Sequence, residues 1–479
     1  MLRATRLLRR AASTAPAAPA PAPPVAVVML NMGGPATLDA VEPFLRALFN
    51  DGEIIALGPL QRWLGPFIAQ RRAPRIREQY AAIGGGSPIG AWTALQGAAM
   101  EAKLNARAGA RAGAPRFKAY TAFRYAEPGT ETALRAMQAD GVTRAIAFSQ
   151  FPQWSCTTAG SSMNHLWRES LRLGLERAFS WSVIDRWPLA PGFVAAVARN
   201  VATGLARFAP EERDSVVLLF SAHSVPMLTV NKGDAYVQEV GATVSAVVAA
   251  LRAGGVAPAP IAAGAPPPPP LGVVRAPYVL SWQSKVGFLP WMGPNTSSVI
   301  AGLARAGHRR VLAVPIAFTS DHVETLFEID VEYAEEAHKV GDGFTREARA
   351  RLLAPRSDIL PPPPPLSRRV RASQLGMHFE RAPSLNDSDL LTTAQADLVE
   401  AHYASGEAVA TPQYGLNCAG CVNPACRSIL NPVAPYTKLR DAAAAAASAA
   451  GTPHQTALPA WPSAADAAAC VARGATPNH

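Results

Sequence analysis

Two stretches decide the fold: SVVLLFSAHSVP at residues 215–226 and RVLAVPIAFTSDHVETLFEIDVEYAEEA at residues 310–337. Each opens as a short, β-branched apolar run of strand length, breaks at a polar turn and continues with helical spacing of apolar residues. The same unit recurs in VAVVMLNMGGP (25–35), followed by Leu38, Val41, Leu45 and Leu48 at helical spacing, and in RAIAFSQFPQWS (144–155), ahead of a helix near Asn164. Strands alternating with helices predict an α/β fold of parallel sheets flanked by helices. In such sheets ligands bind at the carboxyl ends of the strands, so the chemistry belongs to the turns.

His223 stands immediately after one strand, where an imidazole can exchange a proton near neutral pH. On its own it reads as well as a capping or packing histidine. In the second stretch Thr319, Ser320 or Asp321 can cap the following helix, and Glu324, Glu328 and Glu332 fall at i, i+4 and i+8. That spacing predicts one acidic helix face, at a cost of about 0.2–0.5 kcal/mol per neighbouring pair of like charges. A solvated face is the ordinary explanation. Against it, Phe318, Asp321 and His322 crowd the first glutamate at a strand end, which suits a path for protons or a hydrated cation.

Further candidates lie earlier in the chain. AAIGGGSPIG (81–90) offers three successive glycines and Ser87 as backbone donors for an anion, and RRAPRIREQY (71–80) supplies Arg72, Arg75 and Tyr80 to hold carboxylates. No dinucleotide fingerprint or phosphate-binding loop is present, which argues against nucleotides. Just upstream, ALGPLQRWLGPFIAQ (56–70) gathers Leu57, Leu60, Trp63, Leu64, Phe67 and Ile68 among prolines and glycines. Too little regular structure is expected there to bury them all, so an apolar mouth or membrane-touching lip is the reading. Near the end, LNCAGCVNPAC (416–426) sets Cys418, Cys421 and Cys426 in a C-x2-C-x4-C array, three thiolates where zinc or an iron–sulfur cluster wants four ligands.

The chain of 479 residues is 49% hydrophobic, enough for two or three domains with a substantial core. Five cysteines are too few for a secreted disulfide scaffold. The net charge of +10 is scattered, without basic runs interleaved with aromatics, so nucleic acid is not an expected partner. Residues 1–24 are arginine-rich, free of acid and end in an Ala/Pro linker, the composition of a mitochondrial or plastid transit peptide. Proline-rich segments at 257–270 and 355–366 read as surface insertions in extended conformation, and the first rules out a membrane helix in the longest uncharged stretch. Residues 431–479 are Ala-rich and expected to be poorly ordered, Cys470 among them.

Taken together, LNMGGP, QYAAIGGGSPI, AFRYAEP, SQFPQWSCTTAGSSMN, IDRWP, FSAHSVP, WQSKVG, PWMGP and VPIAFTSDHVETLFEIDVEY resemble the ferrochelatases, in family order from about residue 27 to 335. The resemblance implies two similar Rossmann-like lobes (25–195 and 196–400) of the type II chelatase kind with the active site between them, and a C-terminal cluster-binding extension (401–430). It implies a lyase that inserts Fe2+ into protoporphyrin IX with loss of two protons, the last step of haem synthesis. His223 would accept pyrrole protons; Glu324 would be its paired acid, with Glu328 and Glu332 continuing the relay from Asp321 outward. His322 and Phe318 would line the pocket, and Met32, Arg124 and Tyr125 would face the macrocycle or metal from the opposite wall. Arg72, Arg75, Tyr80 and Ser87 match positions on the propionate side, and Trp282 a further substrate contact. Asp397 matches an acid in the C-terminal helix whose chemical role the residues themselves do not supply.

The resemblance also implies a fourth thiolate. Cys156 stands where the animal-type members carry an internal cysteine that joins three near the C-terminus around a 2Fe-2S cluster, whereas spacing alone fits zinc equally. It further implies a homodimer bound peripherally, through the 57–68 lip, to the matrix face of the mitochondrial inner membrane; plastid targeting is the alternative. One departure is Ala190, close to where many members have a histidine. A tetrapyrrole carrier without turnover and an iron–sulfur electron carrier on the same scaffold are the competing functions.

Overall fold

The computed structural model describes residues 22–55, 58–109, 114–259, 269–287, 289–339 and 376–415, together with Cys418, Gly420, Cys426 and Ile429. The leader up to residue 21, Leu57, most of the first proline-rich insertion, all of the second, Cys421 and the tail with Cys470 lie outside the described residues.

Two four-stranded, all-parallel sheets form the frame. The first runs β2-β1-β3-β4, from β1 (Val25–Asn31), β2 (Phe117–Phe123), β3 (Arg144–Ser149) and β4 (Ser180–Ile184). The second repeats that order as β6-β5-β7-β8, from β5 (Val217–His223), β6 (Tyr278–Gln283), β7 (Arg310–Pro315) and β8 (His378–Arg381). All seven residues of β1 are buried. That is why these strands read as continuous apolar runs: a parallel sheet covered on both faces has no solvent side to alternate with.

The crossovers are helical. In the first lobe they are α1 (Val41–Phe49), α2 (Gln61–Ala82), α3 (Ile89–Gly109), α4 (Thr130–Ala139) and α5 (Ser161–Arg172). Next, α6 (Pro191–Leu205) leads into the second lobe, where α7 (Met227–Asn231), α8 (Tyr236–Ala253), α9 (Thr296–Arg305), α10 (Ala334–Lys339) and α11 (Asp389–Ser405) follow. Helix α1 shows why the pattern folds this way: Val41, Leu45 and Phe49, each four apart, are its buried face. One apolar core runs through both lobes, joining Met29 and Phe148 to Val201, Phe220 and Leu312. Gly204 on α6 has no room for a side chain, since a Cβ there would stand 2.7 Å from a methyl of Leu312.

Two local expectations are corrected. The segment of the apolar lip is more regular than its prolines and glycines suggest: a 3-10 turn (Gly58–Leu60) leads into the 22-residue α2, which continues through Pro66 and Pro74. Gly65 lets it press on α1, because a Cβ there would lie 2.5 Å from Asn50 Oδ1. Of the donors at the three glycines 84–86 and Ser87, those of Gly84, Gly85 and Ser87 are used within the fold, which leaves no run of successive open donors to cradle an anion. Gly85 N–H bonds Tyr80 O at 2.8 Å and Ser87 N–H bonds Pro35 O at 2.7 Å. Gly86 is required by close approach, as a Cβ would sit 2.1 Å from Ala36 O.

The residues after α11 return to the first lobe. Val183 N–H bonds Ala408 O at 2.9 Å, Ala410 N–H bonds Val183 O at 2.8 Å, and Thr411 Oγ1 donates to the buried Asp185 carboxylate. Tyr414 packs edge-on against Trp154, with ring centroids 5.7 Å apart.

Candidate active site

In the second sheet the strand order reverses between β5 and β7, so the crevice beyond their carboxyl ends is the topological switch point where such sheets bind ligands. His223 ends β5, and the turn after β7 carries Phe318 to Glu324. The corresponding ends of the first sheet face it. Gln96 donates to Thr319 O at 2.9 Å, and Thr319 Oγ1 donates to Gln150 O at 3.4 Å.

At the centre, His223 Nδ1 lies 2.8 Å from Glu324 Oε2. His223 keeps 39% of its side-chain surface open against 19% for Glu324, so the imidazole is the more accessible member of the pair. Burial works against charge on both groups, yet each offsets it for the other. Glu324 raises His223, while His223 and His322 hold Glu324 well below the ordinary carboxylate range. His322 makes an Nδ1 contact with Ser320 O at 3.1 Å, which turns Nε2 toward Glu324 at 3.7 Å, and its ring packs at a tilt of 55° against Phe318 with centroids 4.5 Å apart.

The acidic row is carried by a π-helix (Glu324–Tyr333) that passes into α10, and not by the α-helix its spacing predicts. The Gln283 side-chain amide donates to Glu324 O at 3.2 Å, taking a carbonyl from the first turn of the ladder, a known cause of such irregularity. Glu328 follows Glu324 along the row. Burial first, then the neighbouring Glu324 charge, push it up to about 7. Glu332 keeps 38% of its side-chain surface open, against 19% for Glu324, and lies 3.8 Å from the exposed Arg75 of α2.

Two residues on this row escape a reading of the sequence. Gln283, at the end of β6, donates to Glu328 at 3.2 Å as well as to the π-helix backbone, and its own carbonyl accepts from Ser221 at 2.6 Å. Ser284 hydroxyl lies 2.9 Å from Glu324 Oε2 and 2.5 Å from Glu328 Oε2. The signal lies in WQSKVG, a strand end in register with that of His223. Trp282 is in fact core, 2% exposed and packed on Tyr236.

Other candidates are placed around this centre or away from it. Tyr80 is buried under α2, where burial and the Glu324 charge raise its hydroxyl far above the ordinary value. Arg72 of the same helix lies over the Phe49 ring at 5.5 Å. Met32, whose carbonyl accepts from Tyr125 N–H at 3.1 Å, and Ser87 are half-buried in the first lobe. Arg124 is committed to Asp51 and to Glu53, the latter at 2.8 Å, and Tyr125 donates to Asp51 at 2.7 Å. Asp321 is turned away from the row and saturated by donors: Thr325 at 2.9 Å, Arg381 at 3.0 Å, Ser384 at 2.6 Å and Asn386 at 2.8 Å. Asp397 lies on the outer side of α11, 59% exposed and paired with Arg107 at 2.8 Å.

The cysteine segment reaches the same corner as Cys156. Cys156 opens a short π-turn (Cys156–Gly160), and its N–H donates to Asp234 Oδ2 at 2.7 Å. Two residues earlier in that loop, Lys232 O accepts from Gly420 N–H at 3.0 Å, and Ile429 is buried in the cluster that holds Trp154.

Two similar parallel-sheet lobes with a histidine–carboxylate pair at a switch point define an α/β protein whose cleft has the groups to exchange protons with a bound ligand. The sequence profile of the ferrochelatase family matches residues 24–350. The mitochondrial ferrochelatase of Bos taurus is 43% identical over 406 residues, spanning 85% of this chain and 83% of its own length. That of Homo sapiens is 42% identical over 85% of this chain and 82% of its own. The fission yeast Schizosaccharomyces pombe enzyme is 40% identical over 85% and 82%. The chain belongs to the ferrochelatase family.

Proposed function

We infer that the chain performs its family's reaction, insertion of ferrous iron into protoporphyrin in haem synthesis, and that the two pyrrole protons leave through His223 and Glu324. The observation that carries this reading is the 2.8 Å bond between them at the switch point. A flat porphyrin hides its nitrogen lone pairs and keeps two N–H protons. A rigid cleft that bends the ring exposes both, at a strain of roughly 1–5 kcal/mol drawn from binding elsewhere. With Nδ1 engaged by Glu324, Nε2 of His223 is the acceptor, and the carboxylate stabilises the imidazolium as it forms. Phe318 and His322 wall the pocket on one side. Met32, Arg124 and Tyr125 belong to the facing lobe, while Arg72, Arg75 and Ser87 suit the propionates. Anaerobic incubation of the pure chain with Fe2+ and protoporphyrin tests the reading; no metallated product above the uncatalysed background would overturn it, and a carrier without turnover would take its place.

Four cysteines also fit a 2Fe-2S cluster, since Cys156 and the Cys418–Cys426 segment are both moored to the loop around Lys232 and Asp234. Cys156, Cys418, Cys421 and Cys426 would hold it, and the cluster would supply a covalent cross-link and a one-electron redox centre. The same reading extends to the cellular setting. Its relatives are named as mitochondrial and its leader has transit-peptide composition, so we place the chain in the mitochondrion, peripherally on the matrix face of the inner membrane and as a homodimer. Leu60, Trp63 and Phe67 are 58%, 68% and 59% exposed beside Arg62 and Arg71, an apolar and basic edge suited to an anionic bilayer. Among the described residues no helix is long and apolar enough to cross a membrane.

A further inference from the structure

We propose that Ser284 is the positioning residue that hands each proton from Glu324 to Glu328, its hydroxyl bridging the two carboxylates. This rests on the proton-removal reading of His223 and Glu324. Three contacts stand in series: His223 Nδ1 to Glu324 Oε2 at 2.8 Å, Glu324 Oε2 to Ser284 Oγ at 2.9 Å, and Ser284 Oγ to Glu328 Oε2 at 2.5 Å. The same oxygen of Glu324 faces both the imidazole and the hydroxyl.

A serine hydroxyl has one proton to donate, while an ionised carboxylate can only accept. Both contacts of Ser284 are therefore satisfied only when one of the two glutamates carries a proton. Glu324 is held ionised by His223, whereas Glu328 is the glutamate pushed up. At rest Glu328 donates to Ser284 Oγ, and Ser284 donates to Glu324. Once Glu328 has released its proton outward, the hydroxyl turns toward it. With a pyrrole proton taken up at Nε2, the His223 Nδ1–H bond breaks as Glu324 Oε2–H forms; that bond then breaks as its proton joins Ser284 Oγ, and the original Ser284 O–H bond breaks as Glu328 Oε2–H forms. The serine is unchanged in composition and resets by rotation.

The backbone shows that the hydroxyl is placed there deliberately. Ser284 has φ +62, a left-handed conformation uncommon for a residue with a side chain. Gln283 anchors it on one side through Ser221 and Glu328, leaving the turn little freedom. Titratable and charged groups face the row from each packed element, beginning with His322 of the preceding turn, 3.7 Å from Glu324. Glu332 and Tyr333 share the π-helix with Glu328, His223 comes from β5, Arg75 and Tyr80 from α2, and Tyr236 from α8.

The test uses the full chain with Fe2+ and protoporphyrin, comparing Ser284→Ala, Ser284→Gly and His223→Ala. Glycine relieves the left-handed backbone, so it controls for folding. Both Ser284 variants are expected to lower kcat by about 10- to 100-fold with KM for porphyrin unchanged, and to reduce the solvent deuterium isotope effect on kcat. The acid limb of the kcat profile should move to higher pH, because Ser284 donation is one of the influences that hold Glu328 down. Wild-type kcat and acid limb in either variant would overturn the proposal. So would a fall in kcat with the limb and isotope effect unmoved, which marks a structural residue. A His223→Ala chain of undiminished activity would instead overturn the reading on which the proposal rests.

Discussion

Arg381, at the end of β8, grips Asp330 with two parallel bonds, Nε to Oδ1 at 2.7 Å and Nη2 to Oδ2 at 3.0 Å, while its third nitrogen reaches Asp321 at 3.0 Å. One guanidinium thus clamps the π-helix and the turn that precedes it. Its side chain is 13% exposed, so removal leaves two carboxylates short of a partner in a poorly solvated place. Arg381→Met is expected to cost about 3–5 kcal/mol in urea unfolding. Activity should fall with it, since the same clamp aims Glu324.

His223→Ala should lower the rate of porphyrin metallation by about 100- to 10,000-fold, the usual range for an acid–base group. The visible spectrum of the chain should be untouched, because His223 is not one of the four cysteines that would hold the cluster. Parallel loss of colour and activity would mean that His223 supports the fold.

Glu328 makes the pH dependence testable in two ways. Its folded value, about 7, is raised above the ordinary 4.5, so the folded state holds the proton more tightly than the unfolded chain. Its contribution to stability is therefore present below the unfolded value and lost as pH rises through the folded one. Glu328→Gln should gain stability relative to wild type across that window, read by thermal unfolding at a series of pH values, while metallation slows because the outward acceptor is gone.

Cys156→Ser should abolish a cluster spectrum as fully as Cys421→Ser, although the two positions are far apart in sequence. A colourless protein that retains one zinc equivalent per set of four thiolates would remove the iron–sulfur assignment and leave the catalytic one intact. Asp234→Asn should weaken the cluster without removing a ligand, since Asp234 orients the Cys156 turn.

Replacing Trp63 and Phe67 together by serine should reduce cosedimentation with cardiolipin-containing vesicles several-fold. The rate in detergent should hold, as both side chains point away from the fold. Sedimentation velocity of the same samples reads the homodimer directly.

Much of this architecture is legible in the sequence because parallel strands buried on both faces must be apolar throughout. His223 is legible because it ends such a run, and Glu324 because it opens the acidic row that follows another. Ser284 is not: its importance depends on the register that sets His223 beside Gln283, and on a left-handed turn that no periodicity reports. The π-helix is hidden for a similar reason, since carboxylates four apart suit either helix and the choice is made by a side chain from another strand. Asp321 misleads in the opposite direction. It has the right neighbours in sequence, but Ser384 and Asn386, more than sixty residues later, claim it.

The apolar core that passes without interruption from Met29 to Leu312 has a mechanical consequence. Swinging the lobes apart would wet that interior, at about 25 cal/mol for each Å² of apolar surface exposed, and would tear the bonds from Gln96 and Arg186 that cross it. The jaws are welded at the back. A broad, disc-shaped ligand is therefore expected to enter by yielding of the rim, where the lip of α2 and the turns around the π-helix lie.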